Sequence, residues 1–209
     1  MKVMIAMPCM SMVHTQFVAS LLQLRVDCDI EFAFTESSLI YDARNQLARK
    51  AVEENFDRVL WLDSDMTFSG DIMKKLSKDI DTGIQMVSAL YFTRRAPIKP
   101  VIYSECGSFE ENGEVIPKAE NYLDYPDGSV FEIAACGFGG VMMTTDLIKR
   151  VADEFGLPFS PILGFGEDLS FCAKVGMLGE KVYCDSSVKM GHIGYYCFNE
   201  QNFRGNKNE

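Results

Sequence analysis

The stretch Val59-Leu60-Trp61-Leu62-Asp63-Ser64-Asp65 decides the fold. Its four consecutive apolar residues leave no polar face, so residues 58–62 predict a short strand buried on both sides. Two carboxylates stand just past its end, at the edge where open α/β sheets bind ligands. Asp63 and Asp65 are spaced i, i+2, which in an extended chain points both to one side. Together they offer hard oxygen ligands to Mg²⁺ or Mn²⁺, ions that pair carboxylates with phosphate oxygens. A solvated aspartate-rich turn is the plainer alternative, and the position directly after a buried strand favours the functional reading.

On either side of this strand the apolar spacing switches between two periods. Residues 2–7 form a short apolar run stopped by Pro8, which reads as a first buried strand. Phe17, Val18, Leu21 and Leu22 give residues 14–24 helical spacing, and residues 30–34 are short and rich in strand formers. Residues 41–54 predict a helix with Leu47, Ala48, Ala51 and Val52 on one side. Helical spacing returns from Ser69 through Ile72, Met73, Leu76 and Ile80; Gly83 closes that helix, and residues 84–89 predict another strand. This alternation predicts α/β architecture with a mostly parallel central sheet flanked by helices.

Beyond Tyr91 the pattern changes. Residues 91–133 read as turns and short strand candidates, with polar loops at 110–113 and 125–128. A glycine-rich turn then enters a strand over 137–143, followed by helices at about 146–154 and 168–177 and a last strand at 181–184. One domain over residues 1–198 is expected, its halves 1–90 and 91–198 sharing one sheet, with a polar, frayed tail at 199–209.

Composition narrows the function classes. With 47% hydrophobic and 24% charged residues, the chain is of ordinary globular type. Its longest apolar runs are too short to cross a bilayer, and the first lacks a clear cleavage site, so a cytoplasmic protein is expected. The net charge of −10 argues against a broad nucleic-acid-binding face. A site handling phosphates amid surplus carboxylates would need a divalent cation. The seven cysteines are scattered and never spaced CxxC, which speaks for reduced, mostly buried thiols rather than zinc or a redox pair.

Two further segments carry chemistry. Gly164-Phe165-Gly166-Glu167-Asp168 opens a helix. Acidic residues at a helix start complement the dipole, but the glycines before them let backbone approach a ligand, and Asp168 or Glu167 facing a cleft could take a proton from an attacking hydroxyl. Lys189-Met190-Gly191-His192-Ile193-Gly194 places one of only two histidines just past the last predicted strand. A neutral imidazole there would suit Mn²⁺ beside a carboxylate and a diphosphate.

These three segments, in this order, resemble the GT-A fold glycosyltransferases, particularly the family 2-like group. The resemblance spans residues 2–194 and rests on the combination of Asp63-Ser64-Asp65, Gly166-Glu167-Asp168 and Gly191-His192. It implies a nucleotide-binding first half, an acceptor-side second half, and a hexosyl group moved from a nucleotide-sugar, UDP-sugar favoured and GDP-sugar possible. Met7-Pro8 leading into Cys9 resembles the loop that holds the base, though Cys9 and Met10 replace commoner polar residues and leave the base open. Ala43-Arg44-Asn45 is similar to a motif near the donor nucleotide. Tyr91, Arg94, Pro97 and Pro100 resemble the loop after the fourth strand, with Arg94 or Arg95 able to reach phosphate. Gly137-Phe138-Gly139-Gly140 looks like part of the floor under donor sugar and acceptor.

The resemblance implies a metal held by Asp65 and His192, with Asp63 on the metal or the ribose, and Arg44 and Arg94 sharing phosphate charge. In an inverting enzyme Asp168 is the base and Glu167 orients it or binds the acceptor. The acceptor hydroxyl could belong to a soluble glycan, a protein or a hydroxylated DNA base, for which Arg94, Arg95 and Lys99 supply a local basic patch. The alternatives are a metal-dependent phosphohydrolase or nuclease, which usually gathers more carboxylates for two metals, and a nucleotide-sugar binding protein without catalysis.

Overall fold

The computed structural model describes residues 1–195 and 197–205. The chain opens as its apolar pattern requires, with β1 (Lys2–Cys9), α1 (Thr15–Leu22), β2 (Asp29–Glu36), α2 (Ile40–Glu53) and β3 (Arg58–Leu62). There follow the short β4 (Met66–Thr67), α3 (Ile72–Ile80), β5 (Met86–Leu90), β6 (Ile102–Glu111), β7 (Glu114–Asn121), β8 (Val130–Ile133) and β9 (Ala135–Cys136). The remainder is β10 (Gly140–Thr144), α4 (Thr145–Phe155), α5 (Glu167–Met177), β11 (Val182–Lys189), β12 (Gly191–Ile193), β13 (Cys197–Phe198) and α6 (Glu200–Gly205).

Seven strands form the central sheet in the order β2-β1-β3-β10-β5-β11-β8. The apolar run in β3 divides its side chains between the two faces, as a strand of period two must. Val59 and Trp61 join α2, α4 and α5 in one core, whereas Leu60 and Leu62 join α1 and α3 in the other. A sheet packed on both faces needs apolar residues at every position, which is why 59–62 shows no alternation. Under the first face Trp61, Phe138, Phe159 and Phe171 build an aromatic cluster, with Phe159 stacked on Phe171 at 4.7 Å and edge-on to Trp61 at 5.0 Å.

The expected mostly parallel sheet is corrected to a mixed one. Pairing is parallel at β1–β2, β1–β3 and β5–β11, but β10 runs antiparallel between β3 and β5, and β8 antiparallel beside β11. Val141, Met142 and Met143 are fully buried, so β10 is apolar enough to fill the gap that β3 and β5 leave. Both halves of the chain do share this one sheet.

Residues 91–133 are more regular than their sequence suggests. β6 and β7 make a hairpin closed at Asn112-Gly113, with φ of 53° and 81° at the two turn residues and Glu111 paired to Glu114. That is the type I′ geometry an Asn-Gly pair favours. The hairpin's side chains are largely exposed, so no apolar alternation marks it. The tail expectation is corrected too: Phe203 of α6 is buried, stacked on Phe92 at 5.0 Å and near Tyr125 at 6.1 Å. Residues 206–209 of that tail lie outside the described residues. No helix among the described residues is long and apolar enough to cross a membrane.

Candidate functional site

The C-terminal ends of β1, β2 and β3 open together on one edge of the sheet, since these strands are parallel neighbours. Between them lies a cavity of about 300 Å³ lined by Pro8, Cys9, Ser37, Asp63, Asp65 and Arg94, with Met10, Ser38, Ile40, Ala43 and Ser64 completing its wall. Six of the candidate site residues therefore line it, Pro8, Cys9, Asp63, Ser64, Asp65 and Arg94, whereas Arg44, Glu167, Asp168 and His192 do not. The wall formed by Ser37, Ser38 and Ile40 was not anticipated, although the end of the strand beside β1 is where a parallel sheet presents such a wall. Burial, with Glu36 beside it, pushes the Cys9 thiol up, so it lines the wall as a neutral group.

Asp63 and Asp65 do not point together. The chain leaves β3 at Leu62 and turns, with Met66 N–H donating to the Asp63 carbonyl at 3.2 Å, so the extended geometry behind the i, i+2 expectation ends one residue too early. Asp63 Oδ1 accepts from Arg44 Nη2 at 2.8 Å. Asp65 instead turns its Oδ2 to Arg94 Nη1 and lies 3.4 Å from His192 Nε2. Burial raises the Asp65 carboxyl, but the His192 contact and the nearby Arg94 outweigh it and hold the group below its ordinary range.

Arg44 is 2% exposed, far from a surface helix residue. Its Nη2 holds Asp63 and its Nε donates to Glu167 Oε1 at 3.2 Å, so one guanidinium ties the 63–65 turn to the start of α5. Its guanidinium carbon sits 5.2 Å from the Phe138 ring centroid and 5.8 Å from that of Trp61, the aromatic cluster forming the bed on which it rests. Burial disfavours the charge, but Asp63, then Glu167 and Asp168, raise its pKa, so it stays charged. Burial pushes Asp63 up against the pull of Arg44, with Asp65 adding to the rise.

Glu167 and Asp168 form the first turn of α5, with Gly166 as N-cap. Asp168 Oδ1 accepts the Leu169 N–H at 2.7 Å. Its carboxyl is pushed up to about 6, first by burial and then by the charge of Glu167, the Leu169 amide and Arg44 opposing. A carboxylate with that affinity is poised to take a proton near neutrality. The loop before α5 is fastened by Lys174, buried, whose Nζ donates to the carbonyls of Leu157, Pro158 and Ser160 at 2.8–3.0 Å.

His192 lies on β12, where Met66 is its neighbour on β4. Its Nδ1 is 2.9 Å from the Phe92 carbonyl, an acceptor only, so Nδ1 carries the proton and Nε2 faces Asp65. The ring stands edge-on to Tyr91 at 5.5 Å. With Nδ1 committed to Phe92, Nε2 and a carboxylate oxygen of Asp65 converge 3.4 Å apart. Adjacent ligands in an octahedral shell with ~2.1 Å bonds stand roughly 3 Å apart, so the pair fits a shared divalent cation. Among the described residues no three His, Cys, Asp or Glu side chains cluster as a metal site. An ion here would draw its other ligands from substrate and water, the manner usual for Mg²⁺.

Three of the remaining residues serve packing. Asn45 Oδ1 accepts the Phe159 N–H at 2.9 Å and faces the aromatic cluster. Gly139 links Tyr91 to the acidic turn, its N–H donating to the Tyr91 hydroxyl at 3.2 Å and its carbonyl accepting Asp63 N–H at 3.3 Å. A Cβ on Gly140 would stand 2.1 Å from Met190 Sδ, so that glycine answers to close packing. Neither glycine nor Asn45 is part of the cavity wall.

No protein-family model and no curated protein matches the chain. A solved structure described as A197 from STIV is similar in fold, with a TM-score of 0.67 at 16% identity, covering 93% of this chain and 86% of that one.

Proposed function

We propose that this protein is a metal-dependent glycosyltransferase of GT-A architecture that moves a sugar from a nucleoside-diphosphate donor to a hydroxyl acceptor with inversion. The observation that carries the reading is the pairing of Asp65 with a His192 whose Nδ1 is committed to Phe92, on a turn whose Asp63 is tied by Arg44 to Glu167, next to Asp168. Asp65 and His192 would hold Mn²⁺ or Mg²⁺, whose contribution is to offset charge on the departing diphosphate. Ser37, Ser38, Cys9 and Arg94 line the cavity; in this reading the first three would bound the nucleoside and Arg94 would meet the diphosphate. Asp63, fixed by Arg44, is left to take a donor hydroxyl.

Asp168 is the base in this reading. It accepts the acceptor's hydroxyl proton as the new bond forms at the anomeric carbon and the bond to the diphosphate oxygen breaks, so the nucleoside diphosphate leaves. Its carboxyl, at about 6, is ionised at neutral pH yet basic enough to help. Glu167, held by Arg44, keeps the helix start in place beside it.

A thermal-shift panel of UDP-, GDP-, dTDP- and CMP-sugars, each with Mn²⁺, Mg²⁺ or EDTA, tests the reading. A donor at ~100 times its Kd stabilises a native protein by about 2.7 kcal/mol. A metal-dependent shift with one nucleotide class is expected; a folded protein that shifts with none of them sinks the proposal.

A further inference from the structure

The oxygen that a shared cation would use is already taken. Asp65 Oδ2 both faces His192 Nε2 and holds Arg94 Nη1, so the guanidinium stands where the positive charge of a bound ion would be. Arg94 is 55% exposed on its side chain while Asp65 is 19% exposed, so the arginine reaches in from solvent and can leave the same way.

Its backbone is less free. Thr93 N–H donates to the Lys99 carbonyl at 2.9 Å and Val101 N–H to the Tyr91 carbonyl at 2.9 Å, closing the loop at its base. Within it the Thr93 hydroxyl lies 3.2 Å from the carbonyls of Arg95 and Pro97 and accepts the Lys99 N–H at 3.1 Å. On the other side a Cβ at Gly194 would come within 3.2 Å of the Arg94 Cβ and carbonyl oxygen, so the loop rests directly on the strand end that carries His192. The loop is anchored and the side chain is the movable part. Arg94 lines the cavity shared by Cys9, Ser64 and Asp63, so a ligand entering there meets it directly.

From this geometry we infer that Arg94 is a resident counter-cation: it occupies Asp65 while the site is empty, and yields that carboxylate to a divalent ion when a diphosphate takes the guanidinium. The inference rests on the reading of Asp65 and His192 as metal ligands. It makes the metal and the diphosphate bind cooperatively, because each removes what opposes the other. Without a diphosphate the ion must displace an ion pair with a partly buried partner; with one, Arg94 gains a phosphate in exchange.

The test is a Mn²⁺ titration of the nucleotide-free full chain, followed by the electron paramagnetic resonance of unbound Mn²⁺, for wild type, Arg94→Gln and Arg94→Gln/Asp65→Asn. Arg94→Gln should bind Mn²⁺ about twofold to fivefold more tightly than wild type, the scale of one partly exposed ion pair. The double variant should lose that gain, which places the ion on Asp65. With UDP or GDP added, wild type should tighten its hold on Mn²⁺ more than Arg94→Gln does. Equal or weaker Mn²⁺ binding by Arg94→Gln without nucleotide, or a gain that survives Asp65→Asn, overturns the inference. Circular dichroism shows whether each variant is folded. The nucleotide-free comparison judges Arg94 even if no nucleotide-sugar shifts the wild-type melt, an outcome that would count against the transferase reading alone.

Discussion

Replacing Asp168 with Asn should make the protein more stable while removing its activity. The Asp168 carboxyl is raised from an ordinary 3.8 to about 6, foremost by burial and next by Glu167. The native state therefore binds the proton more tightly than the unfolded chain does. Stability is highest when both states are protonated, below about pH 4, and falls as pH rises through 6, beyond which the loss is complete. About two pKa units at 1.36 kcal/mol each set an upper bound of ~3 kcal/mol on the penalty at pH 8. Solvent screening of this half-buried carboxyl brings the expectation to about 1–3 kcal/mol. Asparagine keeps an Oδ1 for the Leu169 N–H, so the substitution removes the charge and little else. For a chain of this length, 1 kcal/mol moves the melting temperature by about 2–4 °C, so Asp168→Asn should melt roughly 2–12 °C higher at pH 8. The difference should close near pH 4. Scanning calorimetry across that range, with transfer assays on the same samples, is the measurement. Turnover should fall by about 10²-fold or more, and wild-type turnover should rise with pH through about 6 as the base ionises. A variant no more stable than wild type at pH 8, or an advantage of equal size at pH 4, would refute the burial argument.

Two other substitutions probe the supports of the site. Arg44→Met should destabilise by about 2–4 kcal/mol in urea melts, because Asp63 and Glu167 lose the cation between them while the hydrophobic bed of Trp61 and Phe138 remains; unchanged stability would mean that the two carboxylates find water instead. Phe203→Ala should cost about 2–4 kcal/mol, and it should also weaken Mn²⁺ binding, since Phe203 stacks on Phe92, whose carbonyl sets the His192 ring. Loss of stability with Mn²⁺ affinity intact would confine α6 to a packing role.

How far the sequence reveals this arrangement depends on the range of the interaction. Apart from the two-residue β4, which no apolar pattern announces, the helices and strands of the first ninety residues follow from local apolar periodicity, each within about three residues of its expected bounds. The insertion of β10 between β3 and β5 is a choice of partners among apolar strands, and no local pattern distinguishes a parallel neighbour from an antiparallel one. The type I′ turn at Asn112-Gly113 was present in the residues as an Asn-Gly pair between the hairpin's arms, but the exposed arms carry no period to announce them. Phe203 is a single aromatic in a polar stretch, and a helix of six residues is too short to show periodicity. Residues of the site were legible by type and position, yet their partners were not. Nothing local says that Arg44 joins Asp63 to Glu167, 123 residues away from it, or that Asn45 beside it serves the core.

The charge balance explains why so many carboxylates can share so small a space. Asp63, Asp65, Glu167 and Asp168 surround two guanidinia, those of Arg44 and Arg94, and with all four acids ionised the group carries −2. Arg44 is buried and bound on both sides, so its charge belongs to the fold; Arg94 is exposed and bound on one, so its charge is available to a ligand. One divalent cation at Asp65 and His192 would neutralise the remainder. A diphosphate arriving with that cation would bring the site back to a negative charge, which in the proposed reaction would favour release of the leaving nucleoside diphosphate. The raised Asp168 carboxyl belongs to the same balance: it is the acid that burial and Glu167 leave least content with its charge, and so the one most ready to accept a proton when an acceptor hydroxyl offers it.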